Sequence, residues 1–202
     1  MLIKASRITN LTDARYFAAK EVDFLGFNLE DGAEGFLDPL YMKAIREWVA
    51  GPQIVGEFDR TPASTVLEAA AFYGLDAVQV TRTDELAALG GLTVILSVPA
   101  AAGYQEVDRV FREAAPYVRY FLLDFTAVPE TAAVLLEQAG AWQQLFVQYP
   151  ALLHLDLPAA GIAAVLKVLT PAGLAFRGGD EERVGIKSFD EIDAVFETLG
   201  LG

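Results

Sequence analysis

The sequence predicts an α/β fold, a single (β/α)8 barrel, from three observations. Eight short apolar runs are spread along its 202 residues, and most are followed by apolar residues at helical spacing. Strands that alternate with helices assemble into a parallel sheet. No glycine-rich loop follows the first run, so eight such units favour a closed barrel over an open dinucleotide-binding sheet. No linker, charge block or low-complexity tract divides the chain, and residues 1–202 are read as one domain. TIM barrels typically run to about 250 residues, so the loops here must be trimmed.

The candidate strands are Leu2–Ala5, Phe24–Phe27, Ile54–Phe58, Ala77–Val80, Val94–Val98, Tyr120–Asp124, Leu152–Leu155 and Leu174–Phe176. An apolar fraction of 53% suits a sheet covered on both faces. Three helical stripes are read as core packing: Tyr41, Ala44, Ile45, Trp48 and Val49; Val107, Val110, Phe111 and Ala114; Phe189, Ile192, Val195, Phe196 and Leu199. Asn10 with Asp13 marks a helix start, Thr61 before Pro62 marks another, and Gly74 and Gly103 mark boundaries. Between Asp124 and Leu152 two arrangements stay open. Helices Pro129–Gln138 and Trp142–Gln148 are separated by Gly140, with the first over the barrel mouth, or one helix breaks at that glycine.

Charge and composition exclude several functions. With 15 Lys and Arg against 28 Asp and Glu, the formal charge is −13. Nucleic acid and anionic membranes draw most of their attraction from basic patches, so neither is an expected partner. The absence of cysteine excludes disulfides, thiolate metal sites and a cysteine nucleophile, and a single histidine excludes the usual zinc constellations. No metal or other cofactor is expected. The start Met1-Leu2-Ile3-Lys4-Ala5-Ser6 turns polar too soon for a signal peptide, and no run approaches the roughly 20 apolar residues of a membrane span. A cytoplasmic protein is expected, with a protein partner left open.

Six segments in register add a family signal. Ile3-Lys4-Ala5-Ser6-Arg7-Ile8-Thr9-Asn10, followed by Asp13-Ala14, is similar to an opening of the form Lys-Ile-Cys-Gly-Ile-Thr-Asn. Val22-Asp23-Phe24-Leu25-Gly26-Phe27 resembles Ala-Asp-x-Leu-Gly-Phe, and Val55-Gly56-Glu57-Phe58 resembles Val-Gly-Val-Phe. Gly74-Leu75-Asp76-Ala77-Val78-Gln79-Val80 resembles Gly-Leu-Asp-x-Val-Gln-Leu, Leu122-Leu123-Asp124 matches a sixth strand, and Gly185-Ile186-Lys187 the start of a last helix. These are the motifs of the phosphoribosylanthranilate isomerases of tryptophan biosynthesis, and the chain resembles a divergent member.

The resemblance implies an Amadori rearrangement, with an acid at the ring oxygen, a base for a carbon-bound proton and an anchor for phosphate. It places the acid at Asp124; read from the residues alone, a carboxylate there also serves as a loop or helix cap. The family's base is a cysteine, and Ser6 stands in its place. A hydroxyl is too weakly acidic for that role without a base in hydrogen-bond reach. His154 is the one imidazole and Asp156 the next candidate in sequence, and no pairing of either with Ser6 is expected. Whether His154 faces inward is left open; a lone histidine in an apolar run usually packs.

Other positions depart further. Arg7 replaces a glycine beside the ligand, and Asp31-Gly32-Ala33-Glu34-Gly35 lacks the family's carboxylate-binding arginine. Val80-Thr81-Arg82-Thr83 lacks its histidine, Leu155-Asp156 replaces a phosphate-cradling Gly-Gly, and a Gly-Gly-Thr-Gly loop after strand six is missing. In the eighth turn the amides of Gly178 and Gly179 could meet a phosphate and Arg177 pair with it. A plain turn, or an internal Arg177–Asp180 pair, is equally open, and Asp156, Asp180, Glu181 and Glu182 oppose an anion. Ser6, Gln79, Asp124 and Arg177 are expected at the C-terminal mouth, with Arg7 and Gln79 as further substrate contacts. Two functions follow. One is a catalytically silent or repurposed barrel, its ancestral isomerisation lost or altered, that takes a small phosphorylated or acidic metabolite. The other is a functional isomerase with Asp124 as acid and a base other than cysteine.

Overall fold

The computed structural model describes residues 1–177, 181–183, 186–187 and 189–201. Eight parallel strands close into a barrel in sequence order: β1 (Leu2–Ser6), β2 (Phe24–Asn28), β3 (Gln53–Phe58), β4 (Ala77–Val80), β5 (Thr93–Pro99), β6 (Tyr120–Asp124), β7 (Ala151–His154) and β8 (Gly173–Arg177). β1 closes the ring: Lys4 is opposite Phe24 on one side and Ala175 on the other. The barrel and the eight expected strands agree. Around it lie α1 (Leu11–Ala19), α2 (Pro39–Arg46), α3 (Ala63–Tyr73), α4 (Tyr104–Ala114), α5 (Thr131–Glu137), α6 (Ala139–Gln148), α7 (Ala159–Leu166) and α8 (Asp190–Leu199). A short antiparallel pair, β9 (Glu181–Arg183) and β10 (Ile186–Lys187), precedes α8. The trimming is visible between β4 and β5, where a single 3₁₀ turn over Leu86–Leu89 replaces an α-helix.

Local chemistry sets the helix ends. The Asn10 side chain accepts from the Asp13 amide at 2.9 Å, as its spacing predicts, and Gly74 closes α3 at φ 59°, a left-handed value that favours glycine. Thr61 does not cap α3. Its hydroxyl donates instead to Glu30 Oε2 at 2.8 Å, because that buried carboxylate gathers the whole turn, accepting also from the amides of Asp59, Arg60 and Thr61. The segment after Asp124 forms two helices, but the break falls at Gln138 and Gly140 lies within α6. α5 packs against α6 and α7, burying Leu135, and so belongs to the helical layer. The α2 stripe is displaced: Met42 and Ile45 are buried, while Tyr41 and Trp48 face outward.

The apolar core lies between sheet and helices, and a smaller plug of Phe24, Val55, Ala77, Ile95, Leu122 and Ala175 fills the barrel interior. Gly173 lies where β8 meets β1, and a methyl there would overlap the Leu2 carbonyl oxygen. That atom belongs to a paired strand and cannot swing aside. Gly173→Ala is expected to cost about 1–3 kcal/mol in urea unfolding; an unchanged midpoint would show that the β1–β8 seam yields.

Candidate active site

In a parallel barrel, residues opposite one another in register share a face, and alternate residues along each strand point inward. Two chains of partners follow from that rule. One runs Lys4, Ala175, His154, Asp124; the other Asn28, Glu57, Gln79, Ile95; and Ser6 lies opposite Arg177. Above the apolar plug, the barrel interior is therefore polar. Ser6, Asp124 and Arg177 each end their strands at the C-terminal mouth, and Gln79 is one residue short of the end of β4.

The most unusual group is Lys4. Its side chain is fully buried, and its ammonium contacts Glu57 Oε1 directly while donating to Ser6 Oγ at 2.7 Å. Glu57 stands where the family motif has valine. Its second oxygen accepts from the Arg7 amide at 3.2 Å. Gly26 makes this possible, since a side chain there would overlap both Glu57 Oε1 and Lys4 Nζ. Burial pulls the Lys4 amine below its ordinary value, outweighing the upward pull of Glu57, and the charge of Arg7 adds to the fall.

The second polar group joins β6 and β7. His154 is buried and faces inward, with Nδ1 3.5 Å from Asp124 Oδ1. The same oxygen accepts from the Thr126 amide at 2.9 Å and from its hydroxyl at 2.7 Å. Burial works against the charged carboxylate, but the His154 and Thr126 contacts outweigh it and hold Asp124 well below the usual carboxylate range. A carboxyl depressed in this way adds stability above its unfolded value of about 3.9 and loses it as pH falls through the folded value. Asp124→Asn is expected to lower stability by about 1 kcal/mol at neutral pH, allowing for solvent screening of a partly exposed group. Urea titrations should show the deficit shrinking as pH falls below about 4, and a constant deficit would contradict the linkage.

The remaining candidates divide. The Arg7 backbone is left-handed at φ 52°, and its guanidinium turns outward to Asp59 at 3.5 Å instead of into the barrel. Arg177 is exposed at the mouth opposite Ser6. Gln79 Oε1 is buried with no hydrogen-bond partner among the described residues. Gly178, Gly179 and Asp180 lie outside the described residues. The hydrogen-bond partner of Ser6 is neither of the two candidates that the sequence offered. Neither His154 nor Asp156 hydrogen-bonds it among the described residues, but the Lys4 amine does. The signal for Lys4 and Glu57 was present in the sequence. Lys4 alternates with Ile3 and Ala5, and Glu57 with Gly56 and Phe58, so both fall on the face that a barrel strand turns inward.

Comparison with known proteins bears on the whole chain. The family profile for N-(5'-phosphoribosyl)anthranilate (PRA) isomerase matches residues 3–198. A curated N-(5'-phosphoribosyl)anthranilate isomerase of Maridesulfovibrio salexigens is 23% identical over 205 residues, covering 99% of this chain and 98% of its own. The crystal structure of phosphoribosyl anthranilate isomerase from Thermus thermophilus superposes with a TM-score of 0.75 at 25% identity, covering 99% of this chain and 98% of that one. An isomerase crystallised with reduced 1-(o-carboxyphenylamino)-1-deoxyribulose 5-phosphate superposes with a TM-score of 0.75 at 19% identity, covering 99% of this chain and 98% of that one. With its sequence matched almost end to end and its eight strands in one closed ring, the chain belongs to the phosphoribosylanthranilate isomerase family.

Proposed function

We propose that this barrel takes a small phosphorylated metabolite at its C-terminal mouth and that the ancestral Amadori-type isomerisation is lost or altered. One observation carries the reading: the position of the family's catalytic thiol is occupied by Ser6, whose hydroxyl is held by an ammonium already paired with Glu57. A general acid must hold a proton at working pH, and the His154 and Thr126 contacts keep Asp124 ionised. The phosphorylated ligand is carried over from the relative crystallised with a ribulose 5-phosphate derivative. Arg177 at the mouth and the amides of Gly178 and Gly179 are its proposed contacts.

A second reading, a working isomerase with Asp124 as acid, is favoured by the Lys4 amine within hydrogen-bond reach of Ser6. A lysine that sheds its proton could activate that hydroxyl. Direct turnover measurements with phosphoribosylanthranilate, and complementation of an isomerase-deficient tryptophan auxotroph, separate the two. No turnover and no growth are expected. Robust growth that Asp124→Asn abolishes would establish the second reading.

A further inference from the structure

We infer that Lys4 is a covalent catalytic residue, an amine that condenses with the carbonyl of a small aldehyde or ketone to form an iminium, with Glu57 moving the protons. The inference goes beyond the isomerase question, because it needs no phosphoribosylanthranilate turnover.

The geometry supplies each part. Two residues of strand rise by about 6.6 Å, roughly the reach of a lysine side chain, so an amine rooted at Lys4 stands beside Ser6 at the end of β1. Its 2.7 Å bond to Ser6 Oγ fixes that height. Beneath it the barrel is closed by Phe24, Val55, Ala77, Ile95, Leu122 and Ala175, so a carbonyl compound enters from the C-terminal side, past Ser6 and Arg177. Gly26 carries no side chain, and the room this leaves lets the Glu57 carboxylate sit against the amine. Beside Glu57 in register, the buried Gln79 Oε1 has no partner among the described residues and is free to accept from a substrate hydroxyl. An ion pair that served packing alone would need neither the serine contact nor this spare acceptor.

The step balances. The Lys4 ammonium passes one proton to the Glu57 carboxylate in contact with it. The free amine lone pair adds to the carbonyl carbon, and the carbonyl oxygen takes up a proton as the nitrogen loses one, giving a neutral carbinolamine. Protonated Glu57 then returns its proton to the carbinolamine hydroxyl, which leaves as water. The nitrogen lone pair forms the C=N bond, leaving an iminium paired with the Glu57 carboxylate. Burial, which lowers the Lys4 amine below its ordinary value, favours the first transfer.

The test is reductive trapping. The intact protein is incubated at neutral pH with glycolaldehyde, or separately with dihydroxyacetone phosphate, then treated with borohydride and mapped by peptide mass spectrometry. The reduced adduct is expected on Lys4 at a rate that saturates with carbonyl concentration, ahead of the exposed Lys167. Glu57→Gln is expected to slow trapping by about 10²-fold or more, the usual effect of removing a proton-transfer group. An unmodified Lys4 beside labelled Lys167 in the wild-type protein would overturn the proposal, whether or not the variant folds. Trapping of Glu57→Gln at the wild-type rate would overturn the assignment of Glu57. Saturation by dihydroxyacetone phosphate at concentrations far below those of glycolaldehyde would identify a phosphorylated carbonyl compound as the substrate class.

Discussion

Glu57→Val is expected to cost about 3–5 kcal/mol and to lower Tm by roughly 10 °C. The valine is the residue of the family motif at this position, yet here it would strand the Lys4 ammonium in the barrel interior with only Ser6 Oγ as a partner. An uncompensated buried charge loses its hydration without the attraction that offsets it. Adding Lys4→Met removes the stranded charge and fills similar volume, so the double variant is expected to recover most of the loss. Urea unfolding of the four proteins in this cycle measures the coupling. A double variant as unstable as Glu57→Val alone would show that shape, and not charge, is what Glu57 supplies.

Ser6→Cys is expected to leave phosphoribosylanthranilate turnover at the background of the unmodified protein. The chain has no cysteine, so this change introduces its sole thiol, placed beside the Lys4 ammonium, which favours the thiolate. A recovered base is worth about 10²–10⁴ in rate. The loop at Asp31-Gly32-Ala33-Glu34-Gly35 still offers no cation to an anthranilate carboxylate, Asp156 still replaces a phosphate-binding glycine, and Asp124 is still held ionised. Alkylation checks that the thiol is ionised, and a direct assay reads turnover. A rise of about 10²-fold or more would mean that Ser6 alone silences the family reaction.

The barrel was legible because its strands are short apolar runs covered on both faces, and their number with the missing glycine-rich loop separated it from an open sheet of the same spacing. Asn10 was legible for a related reason: its cap is made within one turn of helix. Thr61 was not, since Glu30, twenty-nine or more residues from the amides it collects, claims its hydroxyl. The α2 stripe failed because Met42 and Ile45 settle inward and turn Tyr41 and Trp48 to solvent, a rotation that periodicity alone leaves free. Asp124, Ser6 and Arg177 were legible as strand-end residues of the C-terminal mouth from motif and position. Lys4 and Glu57 lie 53 residues apart, and their pairing depends on β1 and β3 flanking Gly26 of β2. The direction of Arg7 was not legible, because it follows from a left-handed backbone that sends the guanidinium to Asp59.

Gly26 sets a limit on what this barrel can become. The volume that any side chain at position 26 would need is already taken by Glu57 Oε1 and Lys4 Nζ. A designer who wished to enlarge that residue would have to dismantle the ion pair first, and one who wished to keep the pair would have to keep the glycine. Three positions on three neighbouring strands therefore behave as one unit of substitution.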